Sequence, residues 1–342
     1  MFWTIQTSNR TAVRCGAMLL LMYCCGIRGA PICAECHPSV CRTQIVSRHA
    51  GALRPYAQSR LAAILRGSAV QEPAGFRFDY NGNTVTATRG ERVVSGTLLW
   101  AFGAGVRGLT PVGQAEGQYF EHRVSFYSEM GRNGVTPGQT EIPKAALGLP
   151  LSNEEAFKCF SCHSTGVERD ASGGPDLTTA VPGIQCERCH GPGEAHVRAA
   201  RAQLPANKVR ATISNTGRLP PKASIKFCGD CHRTGMPGTN SETPEEVDPE
   251  VVRFQPIGLM ASRCFRASGA LSCDSCHDPH ADAVVDAAFY RDKCMNCHGS
   301  TKTNIVDCRR QSREDCLPCH MRRTRLAGFF TFTDHHIRVY RP

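Results

Sequence analysis

Residues 186–196 read Cys186-Glu-Arg-Cys189-His190-Gly-Pro-Gly-Glu-Ala-His196, and residues 271–280 read Leu-Ser-Cys273-Asp-Ser-Cys276-His277-Asp-Pro-His280. Each stretch holds two cysteines three positions apart, a histidine directly after the second, and a further histidine downstream. Five more such units follow the same rule: Cys33-Cys36-His37, Cys159-Cys162-His163, Cys228-Cys231-His232, Cys294-Cys297-His298 and Cys316-Cys319-His320. No Cys-x-x-Cys in the chain lacks the histidine. Histidine is 13 of 342 residues, so a random follower would be histidine only about one time in 26. Seven from seven is not chance.

The chemistry of a c-type haem explains the spacing. Two thioethers hold one edge of the porphyrin, and the next residue is carried beneath the ring, where its imidazole ligates the iron. Zinc ribbons pair Cys-x-x-Cys units to complete four ligands and need no histidine after each; seven is also an odd number. A redox dithiol needs one pair. The reading is therefore seven covalent haems c, on Cys33, Cys36, Cys159, Cys162, Cys186, Cys189, Cys228, Cys231, Cys273, Cys276, Cys294, Cys297, Cys316 and Cys319. The proximal iron ligands are His37, His163, His190, His232, His277, His298 and His320. Six of the 20 cysteines are left over. Cys15, Cys24 and Cys25 fall in a leader, while Cys41, Cys264 and Cys308 are spare. A Cys264–Cys308 disulfide and buried free thiols are the alternatives for that group.

The leader is Arg10 and Arg14, then the apolar run Cys15–Ile27, then Arg28-Gly29-Ala30-Pro31. Basic, apolar and small-residue regions in that order make a secretory signal peptide over residues 1–30. Tyr23 beside Cys24 argues against a lipoprotein anchor. No apolar run reaches the 18 or more residues of a membrane span, so the mature chain is expected to lack one. The formal charge is +10 and falls to +7 without residues 1–30, which carry three arginines and no acid. Seven haems bring roughly −7 when ferric and −14 when ferrous, counting propionates and iron. The basic balance therefore does not point to nucleic acid. Arg188, Arg198, Arg233, Arg263, Arg266, Arg322 and Arg323 are either propionate partners or a solvated basic face.

Successive motifs start 126, 27, 42, 45, 21 and 22 residues apart. One unit is isolated at the N-terminus and six crowd into residues 159–342. About 30 residues per haem is too little protein to bury each macrocycle separately, so stacked haems are expected to form much of the core. Between them, Phe76–Tyr80, Thr84–Thr88, Val93–Phe102 and Tyr119–Tyr127 have strand character, with a hairpin turn at Asn81-Gly82. Helices are expected over Ala195–Ala202, about Glu250–Cys264, and Ala283–Tyr290. The expected organisation is a leader (1–30), a first haem segment (31–57), a β-rich haem-free insertion (58–150) and a six-haem domain (151–342). The expected fold class is mostly irregular and α, short helices around stacked haems, with a small antiparallel β subdomain.

Six histidines remain for the opposite faces of the irons: His49, His122, His196, His280, His335 and His336. His280 follows His277 too closely to reach the far side of the same haem, and the same holds for His196 after His190. If they ligate, they serve neighbours. His122, in a strand, reads as a surface or hydrogen-bonding residue. Met236, Met260 and Met321 lie near motifs and read as packing.

The segments SRHAGAL (47–53), CERCHGPGEAH (186–196), LSCDSCHDPH (271–280), CLPCHM (316–321) and FTDHHI (332–337) resemble the multihaem cytochromes of the cytochrome c-554 type and their longer relatives. The resemblance implies distal ligation by His49, His196 and His280, and favours His335 over His336. It implies an exported electron carrier, periplasmic or extracellular, exchanging electrons with other cytochromes or a membrane quinol-linked complex. The alternative is an oxidoreductase acting on a small nitrogen or sulfur compound at a five-coordinate haem; a subunit of an outer-membrane or extracellular haem wire is a third class.

Overall fold

Alternation of apolar and polar residues from Phe76 onward builds the largest element of the chain, a ten-stranded antiparallel sheet. The structure is a computed structural model that describes residues 30–140, 146–233, 252–299, 316–326 and 330–340. Residues 1–29 of the expected leader, the start of the helix expected from about Glu250, Met236 and Cys308 lie outside the described residues.

The strands are β1 (Leu53–Pro55), β2 (Ala69–Gln71), β3 (Arg77–Asn81), β4 (Thr84–Arg89), β5 (Arg92–Phe102), β6 (Gly108–Ala115), β7 (Gln118–His122), β8 (Val124–Tyr127), β9 (Arg132–Val135) and β10 (Gly148–Leu151). Their path runs β10-β7-β6-β5-β4-β3-β2, with β1 paired to β5, and β8 paired to β6 and β9. Thr84 pairs with Asn81, so the first hairpin turns at Gly82-Asn83, one residue later than expected. In β5 the register against β6 shifts between Leu98 and Trp100, a bulge; the strand pairs with β4 through Arg92–Thr97 and with β1 through Trp100–Phe102.

The inward residues of these strands close on the helix Arg60–Leu65. Tyr56, Leu61, Leu65, Phe78, Val85, Leu98 and Phe120 form one buried cluster. Inside it Arg123 donates to Glu72 Oε1 at 2.7 Å. Both are buried, and a buried charge of this kind is tolerable only when paired. A second cluster, Leu53, Phe102, Val112, Leu151, Ala156 and Phe160, fastens the sheet to the helix Asn153–His163.

The expected fold class is thereby corrected. The β part is not a small subdomain of an irregular and helical protein; the ten-stranded sheet is its principal element. The flanking strands escaped the sequence pattern for physical reasons. β1 and β10 carry Pro55 and Pro150, which argue against strands, and β9 and β10 have four residues each, too few for alternation to register, whereas the expected strand Tyr119–Tyr127 forms β7 and β8. The helix expected over Ala283–Tyr290 begins instead at Ala287, capped by Asp286, and runs to His298. Among the described residues no helix is long and apolar enough to cross a membrane.

Candidate haem sites

Helical backbone arms the motifs. Residues three and four apart share one face of a helix, so Cys-x-x-Cys-His on a helix presents both sulfurs and the imidazole to the same side. Asn153–His163, Cys186–His190, Pro221–His232, Ala287–His298 and Leu317–His320 all end on the motif histidine. The first of these starts at Ser152, whose hydroxyl and Glu155 form a reciprocal capping box. Phe160, wholly buried, anchors it to the sheet. The fifth motif lies instead in the short turn Cys273–Ser275.

Four motif histidines face a second histidine from elsewhere in the chain. Ring centres lie 6.4 Å apart for His37 and His196, 6.1 Å for His49 and His232, 6.1 Å for His190 and His280, and 6.2 Å for His277 and His335. Two imidazoles on opposite sides of one metal ion, with nitrogens about 2 Å from it, leave ring centres about 6 Å apart. The residues present therefore fit an iron held between each pair. His280 stands opposite His190, not His277.

Nearly every ring in these pairs has its Nδ1 already committed. His49 donates to Pro279 O at 3.2 Å, His190 to Ser214 O at 2.8 Å, His196 to Val209 O at 3.0 Å and His335 to Thr333 O at 2.9 Å. His280 donates to Asp278 Oδ1 at 3.0 Å, and His277 Nδ1 lies 3.5 Å from the Tyr290 hydroxyl. Such a bond fixes the tautomer and leaves Nε2 as the free lone pair for a metal. Burial pushes His335 down to about 4 and also lowers His232 and His277, so these rings are neutral at neutral pH, as ligation requires.

Close backbone approach sets the distal rings. Gly183, at φ 76°, brings its strand so near that a Cβ would lie 2.1 Å from Ala50 O; Ile184 N–H then donates to His49 O at 2.8 Å. Gly258 lies in the helix Gln255–Ala261, and a Cβ there would lie 2.8 Å from His336 N and 2.9 Å from His335 C. Ser262, fully buried, donates to His335 O and accepts from Ile337 N–H, fixing that turn.

Sulfurs of different motifs also meet. The sulfurs of Cys33 and Cys186 lie within hydrogen-bonding reach of each other, as do those of Cys162 and Cys231 and those of Cys228 and Cys273. Motif one therefore adjoins motif three, and motif two adjoins four, which adjoins five. Arg188, one of the expected propionate partners, reaches Cys231 Sγ at 3.7 Å.

No imidazole stands at comparable distance from His163, His298 or His320 among the described residues. His163 Nδ1 donates to Ala52 O at 3.0 Å and its ring lies against Phe102. His122 serves no site. It is wholly buried in β7, donates from Nδ1 to Leu147 O at 2.7 Å, and accepts at Nε2 from the Tyr80 hydroxyl at 2.8 Å. Both nitrogens are spent. His336 is buried beside His335, its Nδ1 without a partner. The sequence pattern missed the orienting groups, chiefly carbonyls of Ala52, Val209, Ser214 and Pro279, because a backbone acceptor leaves no mark in residue type.

A sheet-braced array of Cys-x-x-Cys-His units, four of them faced by a second imidazole, is the architecture of a c-type cytochrome. The family described as cytochrome c554 and c-prime matches residues 135–191, and the chain resembles that family. Its fold resembles the crystal structure of the Outer Cell Wall Cytochrome OcwA, with a TM-score of 0.52 and 15% identity over 90% of this chain and 78% of that one. No curated protein matches the chain.

Proposed function

We propose that the protein is an exported seven-haem c-type cytochrome that carries electrons between redox partner proteins. The observation that carries this reading is the set of four histidine pairs at 6.1–6.4 Å. Haem supplies one-electron chemistry, and an iron held by two imidazoles changes charge without opening a coordination position. The chain's own work is to fix both rings through their Nδ1 partners and to keep neighbouring attachment points adjacent. The sulfur contacts order the sites as one beside three, and two beside four beside five. Export is supported by the leader at residues 1–30 and by haem c itself. Partners are other cytochromes or a membrane quinol-linked complex.

The second reading, an oxidoreductase acting on a small nitrogen or sulfur compound, is favoured by His163, His298 and His320, which lack a facing imidazole. Mass spectrometry of the mature protein tests the haem count, with seven additions expected and five or fewer refuting it. Low-temperature EPR of the oxidised protein separates the two functions. Four low-spin bis-histidine irons support the carrier, and a high-spin iron that shifts on adding nitrite, hydroxylamine or sulfite supports the enzyme.

A further inference from the structure

One loop of six residues reaches three of the paired sites. His277 faces His335, and His280 faces His190. Between them the Pro279 carbonyl accepts from His49, which faces His232. Two residues beyond His280, Asp282 Oδ1 accepts the backbone N–H of Arg48 at 2.7 Å, and its Oδ2 lies 3.4 Å from Arg48 Nε. Asp282 and Arg48 are 234 positions apart. They also wall a cleft of about 290 Å³ between residues 46–60 and the loop 101–109.

The bond to a backbone N–H distinguishes this contact from an ordinary surface ion pair. The two side chains are each 45% exposed, and a charge pair so open to water contributes little. A carboxylate on a main-chain N–H, however, fixes the backbone beside it and is among the stronger hydrogen bonds. That backbone belongs to the residue before His49. The other side of the segment is already held, since Ile184 N–H donates to His49 O and Ala50 N–H donates to the Ser47 hydroxyl. Asp282 and Pro279 therefore supply the grip on the ring side.

We propose that Asp282 is a positioning residue, a clamp that holds His49 toward the iron carried by His232 and ties that ligation to the loop serving the sites of His190 and His277. The proposal rests on the bis-histidine reading above. Its consequence is that ligation at the fourth site, where His49 faces His232, depends on the loop that also carries His277 and His280.

The test uses the full holoprotein and reads the rate at which carbon monoxide replaces a histidine on the reduced protein, together with EPR of the oxidised form. His49→Ala should add one rapidly binding iron per chain and one high-spin signal. Asp282→Ala should keep all seven haems by mass, yet speed replacement at one iron about tenfold, the scale of a lost charge-assisted hydrogen bond. Asp282→Asn keeps an oxygen for the Arg48 N–H and should stay within about threefold of the parent, as should Arg48→Ala, which keeps the N–H itself. If Asp282→Ala fails to mature, Asp282→Ser, too short to reach Arg48, carries the same test. Parent-like rates in Asp282→Ala beside an opened iron in His49→Ala overturn the clamp. Equal acceleration in Arg48→Ala and Asp282→Ala overturns it too, by assigning the effect to the ion pair. A His49→Ala protein with no opened iron overturns the bis-histidine reading instead.

Discussion

His280 is held twice by one carboxylate. Its backbone N–H and its Nδ1 both donate to Asp278 Oδ1, at 2.9 and 3.0 Å. A carboxylate behind a histidine orients the ring and makes its far nitrogen a better donor to metal. His280→Ala should turn one low-spin iron high-spin while mass spectrometry still finds the haem on Cys273 and Cys276; an unchanged EPR spectrum would refute the assignment. Much at this scale is legible without coordinates. The Cys-x-x-Cys-His units declare themselves, and the short stiff link through Pro279 already excludes His280 from the iron of its own motif. Which iron it meets is not legible, because the pairing with His190 depends on how the chain folds across a separation of 90 positions. Asp282 was equally silent, since an acid that grips a distant backbone N–H looks like any surface acid.

The helix Gln255–Ala261 packs without a side chain at Gly258 against the turn carrying His335. Gly258→Ala forces that turn outward, because the added carbon would sit 2.8–2.9 Å from main-chain atoms that cannot rotate aside. The expected result is loss of one bis-histidine signal by EPR with all haems retained; Gly258→Ala indistinguishable from the parent would show that the turn yields freely. The sheet makes a different prediction through His122. Burial pushes its pKa down to about 4, against about 6.5 in the unfolded chain. Between those values the unfolded chain binds the extra proton, so stability rises with pH across the window. The contribution is full above pH 6.5 and is lost as pH falls toward 4, a swing of about 3 kcal/mol. Guanidinium unfolding followed by circular dichroism should show this slope, and His122→Gln should flatten it. The strands themselves were partly legible: β3 and β4 alternate cleanly, whereas the proline-bearing strands β1 and β10 join through neighbours rather than through any pattern of their own.

Across the whole molecule, 15 Phe, 7 Tyr and 2 Trp in 342 residues are few bulky side chains for a core, and they are spread unevenly. The aromatic side chains concentrate in the sheet and its junction with Asn153–His163, in two clusters. The rest of the described chain buries few large side chains, and there all the motifs but the second lie. Sequence arithmetic saw the crowding and underestimated the sheet, because alternation is local and a ten-stranded assembly is not.

The four imidazole pairs also carry a lesson about time. A chain synthesised from its N-terminus presents Cys33, Cys36 and His37 early, but the ring that faces His37 is His196, far behind it. His277 waits longer still, for His335 near the end. His49 is the reverse case, arriving ahead of its counterpart His232. Each early site must therefore stand half-coordinated until later residues emerge, so the order of synthesis and the order of completion differ. Quality control follows from this without any added device: a product cut short between residues 320 and 335 keeps every Cys-x-x-Cys-His unit, yet betrays itself by one more half-coordinated site.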